Sequence, residues 1–258
     1  MVENVRELVR YRALLFSLIA RELKVRYRGS ALGFLWTFIN PLILMGIYTL
    51  VFSVYMRSEM KNYSYFMLAG LLPWLWFSTS VSTGASSISD RRDLISKVSF
   101  PPQILPMTVI GAALMNYLFS LPILLCFALS VGVDLGWPLL SFPLIVAVQL
   151  VLTTGIVYFL ASANVLFRDL QHIVPNIISF AFFLTPIIYP LTQIPERYRH
   201  AATVANPMAM LILSYQDIFY YNRWPSFVHL AAVTALGVVL FTVSSLYMAY
   251  KREGFAEA

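Results

Sequence analysis

The sequence predicts an all-α integral membrane protein of one domain, residues 1–258, with six transmembrane helices per subunit. It is 59% hydrophobic and only 12% charged, whereas a soluble domain carries roughly 25% charged residues. Six stretches without Asp, Glu, Lys or Arg are long enough to cross a bilayer, which takes about 20 mostly apolar residues. All 18 basic and 12 acidic residues lie outside them. The predicted spans are approximately 31–56, 63–89, 104–133, 135–167, 170–195 and 226–250.

The first 28 residues carry charges too often to form a span, and they show a helical amphipathic pattern. The residues near its apolar face are Val5, Leu8, Val9, Leu15, Leu18 and Ile19. The pattern predicts an amphipathic helix over 1–28 that lies in the membrane interface. A solvated basic tail is the alternative, and the regular apolar stripe argues against it.

The basic residues between the spans predict the orientation in the membrane. Alternate connections carry 13 and 5 of the 18 Lys and Arg residues. The positive-inside rule therefore places both termini, and the connections near 90–103 and 168, in the cytoplasm.

The connection between the second and third spans has its own pattern. In SDRRDLISKVSFPP (89–102), charged residues alternate with apolar ones until Pro101-Pro102. This predicts a short cytoplasmic helix with a firm end, which could insert its apolar side into a groove of a soluble partner. A loop lying on lipid is the alternative. The residues that would couple to such a partner are Arg91, Arg92, Asp93, Leu94, Ile95, Lys97, Val98 and Phe100.

Four cations stand within eight residues just before the first span, namely Arg21, Lys24, Arg26 and Arg28. Cations at the cytoplasmic surface could hold a phosphate or pyrophosphate head group. Positive-inside anchoring explains the same residues, and the two roles can coexist.

Aromatic residues make up 15% of the chain, and several fall within the first and fifth spans. Tyr48, Phe52 and Tyr55 share one helical face, and the fifth span carries Phe180, Phe182, Phe183 and Tyr189. Aromatic faces suit the sliding of sugar rings. Packing or an interfacial aromatic belt is the alternative reading of these residues.

The connection between the fifth and sixth spans, 191–225, is long and only partly polar. Asn206-Pro207 breaks its apolar run, which is therefore too interrupted to span and too apolar for a free loop. We expect a re-entrant or surface-lying external helical segment.

Chemistry within the chain is not expected. The sequence contains no G-x-x-x-x-G-K-[ST] phosphate loop, and its three histidines, His172, His200 and His229, are too scattered for a metal site. Ion-coupled carriers place charges inside the membrane, but the predicted spans contain none. Energy must then come from another chain.

Four stretches carry a resemblance to a known family. They are RYRGSALGFLW (26–36) followed by Asn40-Pro41, RDLISKVSFP (92–101), NVLFRDL (164–170), and PIIYP (186–190) with Asn206-Pro207-Met208. In this order they resemble the permease subunits of type-2 ABC exporters, which move lipid-linked O-antigen, capsular polysaccharide or teichoic acid across the plasma membrane.

The resemblance implies a homodimer in the bacterial plasma (inner) membrane, with a separate ATPase chain that binds ATP and Mg on each cytoplasmic side. It implies a channel between the first and fifth helices of the two subunits, lined by the aromatic residues above and Trp36. The 89–102 segment and the N-terminal helix become contacts to the ATPase, Arg26 and Arg28 contacts to the lipid pyrophosphate, and 191–225 an external gate. No cofactor is expected in this chain.

Three other functions stay open. The nearest is a type-2 ABC permease for a small lipophilic solute such as a drug or haem. A multi-pass transferase acting on lipid-linked sugars and an ion-driven flippase are the others, and both are disfavoured by the charge-free spans.

Overall fold

The computed structural model describes residues 2–57, 60–91 and 100–251, and the regular structure within these ranges is helical. The α-helices are α1 Val2–Arg10, α2 Arg12–Tyr27, α3 Trp36–Thr49, α4 Tyr63–Gly84, α5 Ile104–Ser130, α6 Phe142–Leu166, α7 Leu170–Leu184, α8 Glu196–Val204, α9 Pro207–Phe219 and α10 Phe227–Lys251. A 3-10 turn, Gly33–Leu35, precedes α3, and the π-helical segment Leu50–Tyr55 continues it.

Four helical segments in the described ranges are long and apolar enough to cross a membrane. They are Gly33–Tyr55, Ile104–Ser130, Trp137–Leu166 and Phe227–Met248, which correspond to the first, third, fourth and sixth predicted spans. The all-helical membrane architecture is therefore confirmed. The helix of the second predicted span, α4, has 22 residues but includes six Ser and Thr residues. The helix of the fifth predicted span, α7, is apolar but has only 15 residues. Six spans remain a prediction.

Helix α4 lies at the centre of the fold, where it contacts α3, α5, α6, α7 and α9. Most of its side chains are buried, including Tyr65 and Trp76. Trp76 stacks on Tyr117 of α5 with 5.5 Å between the ring centroids. On another side of α4, the Gln149 amide of α6 donates to the Pro73 carbonyl at 2.9 Å. The central helix is thus held by aromatic packing and by a buried hydrogen bond.

Helices α6 and α10 form the most extensive helix pair. A Cβ atom on Gly155 would lie 2.7 Å from the backbone nitrogen of Phe241, and one on Gly237 would lie 3.0 Å from that of Leu152. The Ser244 hydroxyl of α10 also donates to the Gly155 carbonyl at 2.8 Å. Small residues therefore allow the two backbones to touch, as is common between membrane helices.

The N-terminal segment forms two helices rather than one, with the break at Tyr11. Helix α2 packs along α5. Gly111 of α5 makes room for Ile19 of α2, because a Cβ atom on Gly111 would lie 2.5 Å from the Cδ1 atom of Ile19. Phe100, Ile104 and Leu105 are buried under apolar side chains of α1, Tyr11 and α2, which are Leu8, Tyr11, Leu14, Leu15 and Leu18. The interfacial location of this segment remains a prediction.

The segment between α7 and α10 contains a helical pair, α8 and α9. Asn206 caps α9, because its side-chain oxygen accepts from the Met208 and Ala209 backbone amides at 3.1 and 3.3 Å. Most of α9 is buried, with α4 and α10 among its neighbours. Helix α7 ends at Leu184, well before the end of the predicted 170–195 span, because Pro186 and Pro190 cannot donate backbone hydrogen bonds.

Candidate functional site

A groove of about 540 Å³ runs between α3, α4 and α7. One part of its lining is aromatic. Tyr48 of α3 contacts Phe182 of α7 with 5.5 Å between centroids, and Phe182 contacts Trp74 of α4 at 5.8 Å. Phe183 also lines the groove. The structure therefore brings together three of the predicted path residues, Tyr48, Phe182 and Phe183, from two separate helices.

The remaining lining of this α3–α4–α7 groove carries hydroxyl groups. On α4 they belong to Ser78, Thr79, Ser82 and Thr83, and Ser179 lies across from them on α7. The Thr83 hydroxyl donates to the Thr79 carbonyl at 2.6 Å, and the Ser78 hydroxyl to the Leu75 carbonyl at 3.3 Å. Because these hydrogens are used within the helix, the oxygen lone pairs remain available to a ligand. The groove offers aromatic faces together with hydrogen-bond acceptors.

The other predicted path residues lie outside the groove lining. Phe52 stacks on Tyr63 at 6.0 Å in the core, and the Tyr189 hydroxyl donates to the Phe183 carbonyl at 2.7 Å. Tyr55 and Phe180 are on the surface, 71% and 73% exposed. Trp36 lines a different cavity, and its indole nitrogen donates to the Ser30 hydroxyl at 3.1 Å.

Sequence reasoning missed the α4 side of the groove. The pairs Ser78/Ser82 and Thr79/Thr83 are each four residues apart, so they share one helical face. A cluster of hydroxyl residues within an otherwise apolar, charge-free run was the available signal, because polar groups in such a run tend to face protein or a cavity.

The N-terminal helices hold both ends of the predicted coupling segment. At its start, Arg91 forms an ion pair with Glu22 of α2 at 2.5 Å. Just after its end, the Gln103 amide donates to the Glu7 carboxylate of α1. Phe100 is buried against this same surface. The predicted coupling residues Arg92, Asp93, Leu94, Ile95, Lys97 and Val98 lie outside the described residues.

A buried amide joins the start of this segment to the turn between α6 and α7. Asn164 is fully buried. Its side-chain nitrogen donates to the Ser89 hydroxyl at 2.9 Å, and its oxygen accepts from the Gln171 backbone amide at 3.1 Å. Two connections that the sequence predicts to be cytoplasmic are therefore tied together.

Arg26 and Arg28, the two residues predicted to contact the lipid pyrophosphate, have different surroundings. Arg26 is exposed and lines a cavity of about 440 Å³ between α2, α3, α4 and α5. Arg28 is exposed and follows the end of α2. Gly29 comes next with φ of 79°, a left-handed conformation that suits glycine. The chain turns here before it enters α3.

An ion pair joins α9 to the segment that follows it. Arg223 donates through Nε to Asp217 Oδ1 at 2.8 Å, and its backbone amide donates to the Asp217 carbonyl at 2.9 Å. Burial raises the pKa of the Asp217 carboxyl above its usual value, although the charges of Arg223 and His229 act in the opposite direction. Within the described residues, no group of three or more His, Cys, Asp or Glu side chains could hold a metal ion.

Comparison with known proteins gives a consistent result. A model of the ABC-2 type transporter family matches residues 13–220. The O-antigen export system permease protein RfbA of Myxococcus xanthus is 50% identical over 259 residues and covers 100% of both chains. The protein of the same name from Klebsiella pneumoniae is 32% identical over 95% of this chain and 94% of its own. The polysialic acid transport protein KpsM of Escherichia coli is 26% identical over 90% of this chain and 91% of its own.

The family match and the full-length relatives agree with the helical architecture and with the resemblance found in the four sequence stretches. This chain belongs to the membrane family of ABC-2 type transporters.

Proposed function

We propose that this chain is the membrane-spanning permease subunit of an ATP-driven exporter that moves a lipid-linked polysaccharide, such as O-antigen, across the bacterial inner membrane. The observation that carries this proposal is the α3–α4–α7 groove. Sugar rings present apolar faces and hydroxyl edges, and the groove offers Tyr48, Trp74 and Phe182 to the faces and the α4 hydroxyl groups to the edges. The names of the full-length relatives support the same substrate class.

The path is completed by a second copy of the chain. Both helices at the sides of the groove carry exposed apolar stripes with the same spacing: Ile43, Ile47, Leu50 and Val54 on α3 and its continuation, and Ile173, Ile177, Phe180 and Leu184 on α7. A homodimer that covers these stripes would bring two grooves together into one channel. In this arrangement α4 and α7 are the second and fifth of six spans, and both termini are cytoplasmic.

Energy enters through a separate ATPase subunit, which binds ATP and Mg and docks on the cytoplasmic side. Its contact is the 89–102 segment, which follows directly from the groove helix α4. Because Glu22 and Glu7 hold the two ends of this segment, a displacement there would also move α1 and α2. Helix α2 leads through Gly29 into α3, which is one wall of the groove.

The 191–225 segment acts as the external gate. The buried helix α9 contacts α4, and the Gln216 amide of α9 donates to the Pro186 carbonyl after α7 at 2.8 Å. One groove helix, α4, and the chain just after another, α7, therefore contact the gate directly.

Transport in proteoliposomes tests this function. The chain is reconstituted with its ATPase, and ATP-dependent movement of a lipid-linked polysaccharide is measured. Thr83→Leu narrows the groove and should slow transport strongly. Thr242→Leu is the control, because Thr242 is a half-buried threonine whose hydroxyl also donates to the carbonyl four residues before it, at 2.7 Å, but on α10.

Three results would contradict the proposal. They are ATP-dependent transport of a small lipophilic dye without transport of polysaccharide, polysaccharide transport that needs a proton gradient but no ATP, and equal effects of the two threonine substitutions.

A further inference from the structure

A second large pocket, of about 590 Å³, lies where α5, α6 and α9 meet, and it shares no lining residue with the α3–α4–α7 groove. Its walls come from the last part of α5, the connection to α6, the start of α6, and Phe219 at the end of α9. The lining side chains are those of leucine, phenylalanine, proline and tryptophan. This α5–α6–α9 pocket is therefore suited to an apolar ligand.

The position of the pocket along the helices places it in one leaflet of the membrane. Helix α5 ends at Ser130, and the next predicted span begins at the largely exposed Trp137, as is common at a membrane interface. Leu121, which also lines the pocket, lies nine residues before Ser130, or about 14 Å along an α-helix. The hydrocarbon core is about 30 Å thick. The pocket thus extends from the membrane surface towards the bilayer centre.

The pocket is open to the surrounding lipid. Leu125 and Leu140 in its lining are 40% and 69% exposed. A lipid acyl chain is the apolar molecule present at this depth. However, lipid tails are as apolar as leucine side chains, so the pocket alone would not favour one lipid over another. Selection has to come from polar groups at its outer end.

Two loops with charged residues are joined at that end. The Gly136 backbone amide, in the pocket lining, donates to the Asn222 side-chain oxygen at 3.1 Å, and a Cβ atom on Gly136 would lie 2.6 Å from the same oxygen. Asp134, two residues before Gly136, is exposed and forms no ion pair within the described residues. Arg223 follows Asn222, and its side chain is 63% exposed although it pairs with Asp217. The joined loops therefore present an anion and a cation beside the pocket.

This combination matches the head group of phosphatidylethanolamine, which carries a phosphate and a primary ammonium group. A guanidinium group is suited to a phosphate, and a carboxylate accepts hydrogen bonds from an ammonium group. We propose that the α5–α6–α9 pocket holds one acyl chain of phosphatidylethanolamine, with the phosphate at Arg223 and the ammonium group at Asp134.

The lipid would contact the external gate. Phe219 is the last residue of the gate helix α9 and packs on Phe142 of α6 with 5.7 Å between the ring centroids, and both line the pocket. A bound acyl chain would therefore lie between α5 and the end of α9. This inference goes beyond the proposed function, because it does not depend on which substrate is exported.

Native mass spectrometry of the purified, delipidated full-length chain in detergent tests the site. The probe is palmitoyl-oleoyl phosphatidylethanolamine, compared with phosphatidylcholine and phosphatidylglycerol of the same acyl chains. Phosphatidylcholine has no ammonium hydrogens to donate, and phosphatidylglycerol has no ammonium group. We expect one bound phosphatidylethanolamine per protomer, held about two- to fivefold more tightly than phosphatidylcholine.

A change in the pocket tests the acyl-chain site. Leu125→Trp fills the space with a larger side chain and should weaken phosphatidylethanolamine binding at least about fivefold. Leu236→Trp is the matched control, because Leu236 on α10 is 41% exposed, against 40% for Leu125. It should leave the affinity unchanged.

A change in the loop tests the head-group site separately. Asp134→Asn removes a charge from an exposed side chain, so it should keep the wild-type melting temperature and abolish the preference for phosphatidylethanolamine over phosphatidylcholine. Asp169→Asn replaces an exposed aspartate after the other end of α6 and should keep the preference. If Leu125→Trp does not fold, Asp134→Asn decides alone.

Four outcomes would overturn the inference. Equal affinity of the wild type and Leu125→Trp for phosphatidylethanolamine would place the lipid elsewhere. An undiminished preference in Asp134→Asn would remove the head-group contact. Tighter binding of phosphatidylglycerol than of phosphatidylethanolamine would indicate a site for anionic lipids. Binding to monomers but not to dimers would mean that a second copy of the chain covers the pocket.

Discussion

The α6–α10 pair and helix α3 are both long and apolar, but they are packed in opposite ways. Between α6 and α10 the backbones touch at Gly155 and Gly237. In α3 the buried residues are Thr37 and Pro41, and a Cβ atom on Gly46 would meet nothing within 4 Å. One protomer therefore combines a closely packed scaffold with a helix that has few partners of its own.

This difference indicates where the molecule can change shape. Pro41 interrupts the hydrogen bonding of α3, and Leu50–Tyr55 is π-helical, a geometry that is rare and frequent at functional sites. One face of α3 lines both the groove, at Tyr48, and the cavity of about 440 Å³ beside Arg26, at Thr37. A movement of α3 would alter both spaces, while α6 and α10 stayed in place.

The largest expected effect comes from adding a methyl group where the backbones of α6 and α10 touch. In Gly155→Ala the new methyl group meets the backbone of α10, which cannot rotate away, so we expect a loss of about 3 kcal/mol or more. The matched change in α3, Gly46→Ala, has free space and should be neutral or stabilising by up to about 1 kcal/mol. Thermal unfolding in detergent measures both, and equal melting temperatures would remove the distinction between the two regions.

The packing difference was only partly visible in the sequence. Apolar runs without charge predicted α3, α5, α6 and α10 as spans, because hydrophobic length is a local property. Which runs touch is a tertiary property: Tyr48 and Phe182 meet across the groove although 134 positions separate them. Tyr55 shares the helical face predicted from Tyr48, yet the π-helical segment Leu50–Tyr55 breaks the α-helical period on which that prediction depends. The groove hydroxyl groups were overlooked because Ser and Thr carry no charge to mark them.

Cross-linking would show what covers α3. After Cys126, the single cysteine of the chain, is replaced by Ala, Ile47→Cys should cross-link two protomers with a short bismaleimide in most of the protein. Leu246→Cys is the control, since it is exposed to a similar degree on α10 and should remain monomeric on a denaturing gel. Efficient dimers of Leu246→Cys but not of Ile47→Cys would place the second copy on the scaffold instead.

A smaller effect is expected at the Arg91–Glu22 ion pair, which would pass a displacement of the 89–102 segment on to α2. Reversal in Arg91→Glu breaks the half-buried pair with Glu22 and should cost only about 1 kcal/mol of stability, but it should lower the polysaccharide moved per ATP hydrolysed. The double variant Glu22→Arg/Arg91→Glu restores opposite charges and should recover most of this ratio. Arg12→Glu, a reversal elsewhere on α2, serves as the control, and an unrecovered double variant would argue against a role for the ion pair.

The smallest effect concerns the gate helix α9, which is largely buried and yet holds a carboxylate. Because burial raises the pKa of Asp217 in the folded protein, its contribution to stability is fully present below the unfolded pKa of about 4 and is lost as pH rises through the folded pKa. Asp217→Asn cannot ionise, so its melting temperature should gain on that of the wild type between pH 4 and 7, as measured by differential scanning fluorimetry. A gain at low pH instead would mean that the Arg223 pair, and not burial, dominates, because the stability that an ion pair provides is lost as pH falls through the folded pKa of its carboxyl group.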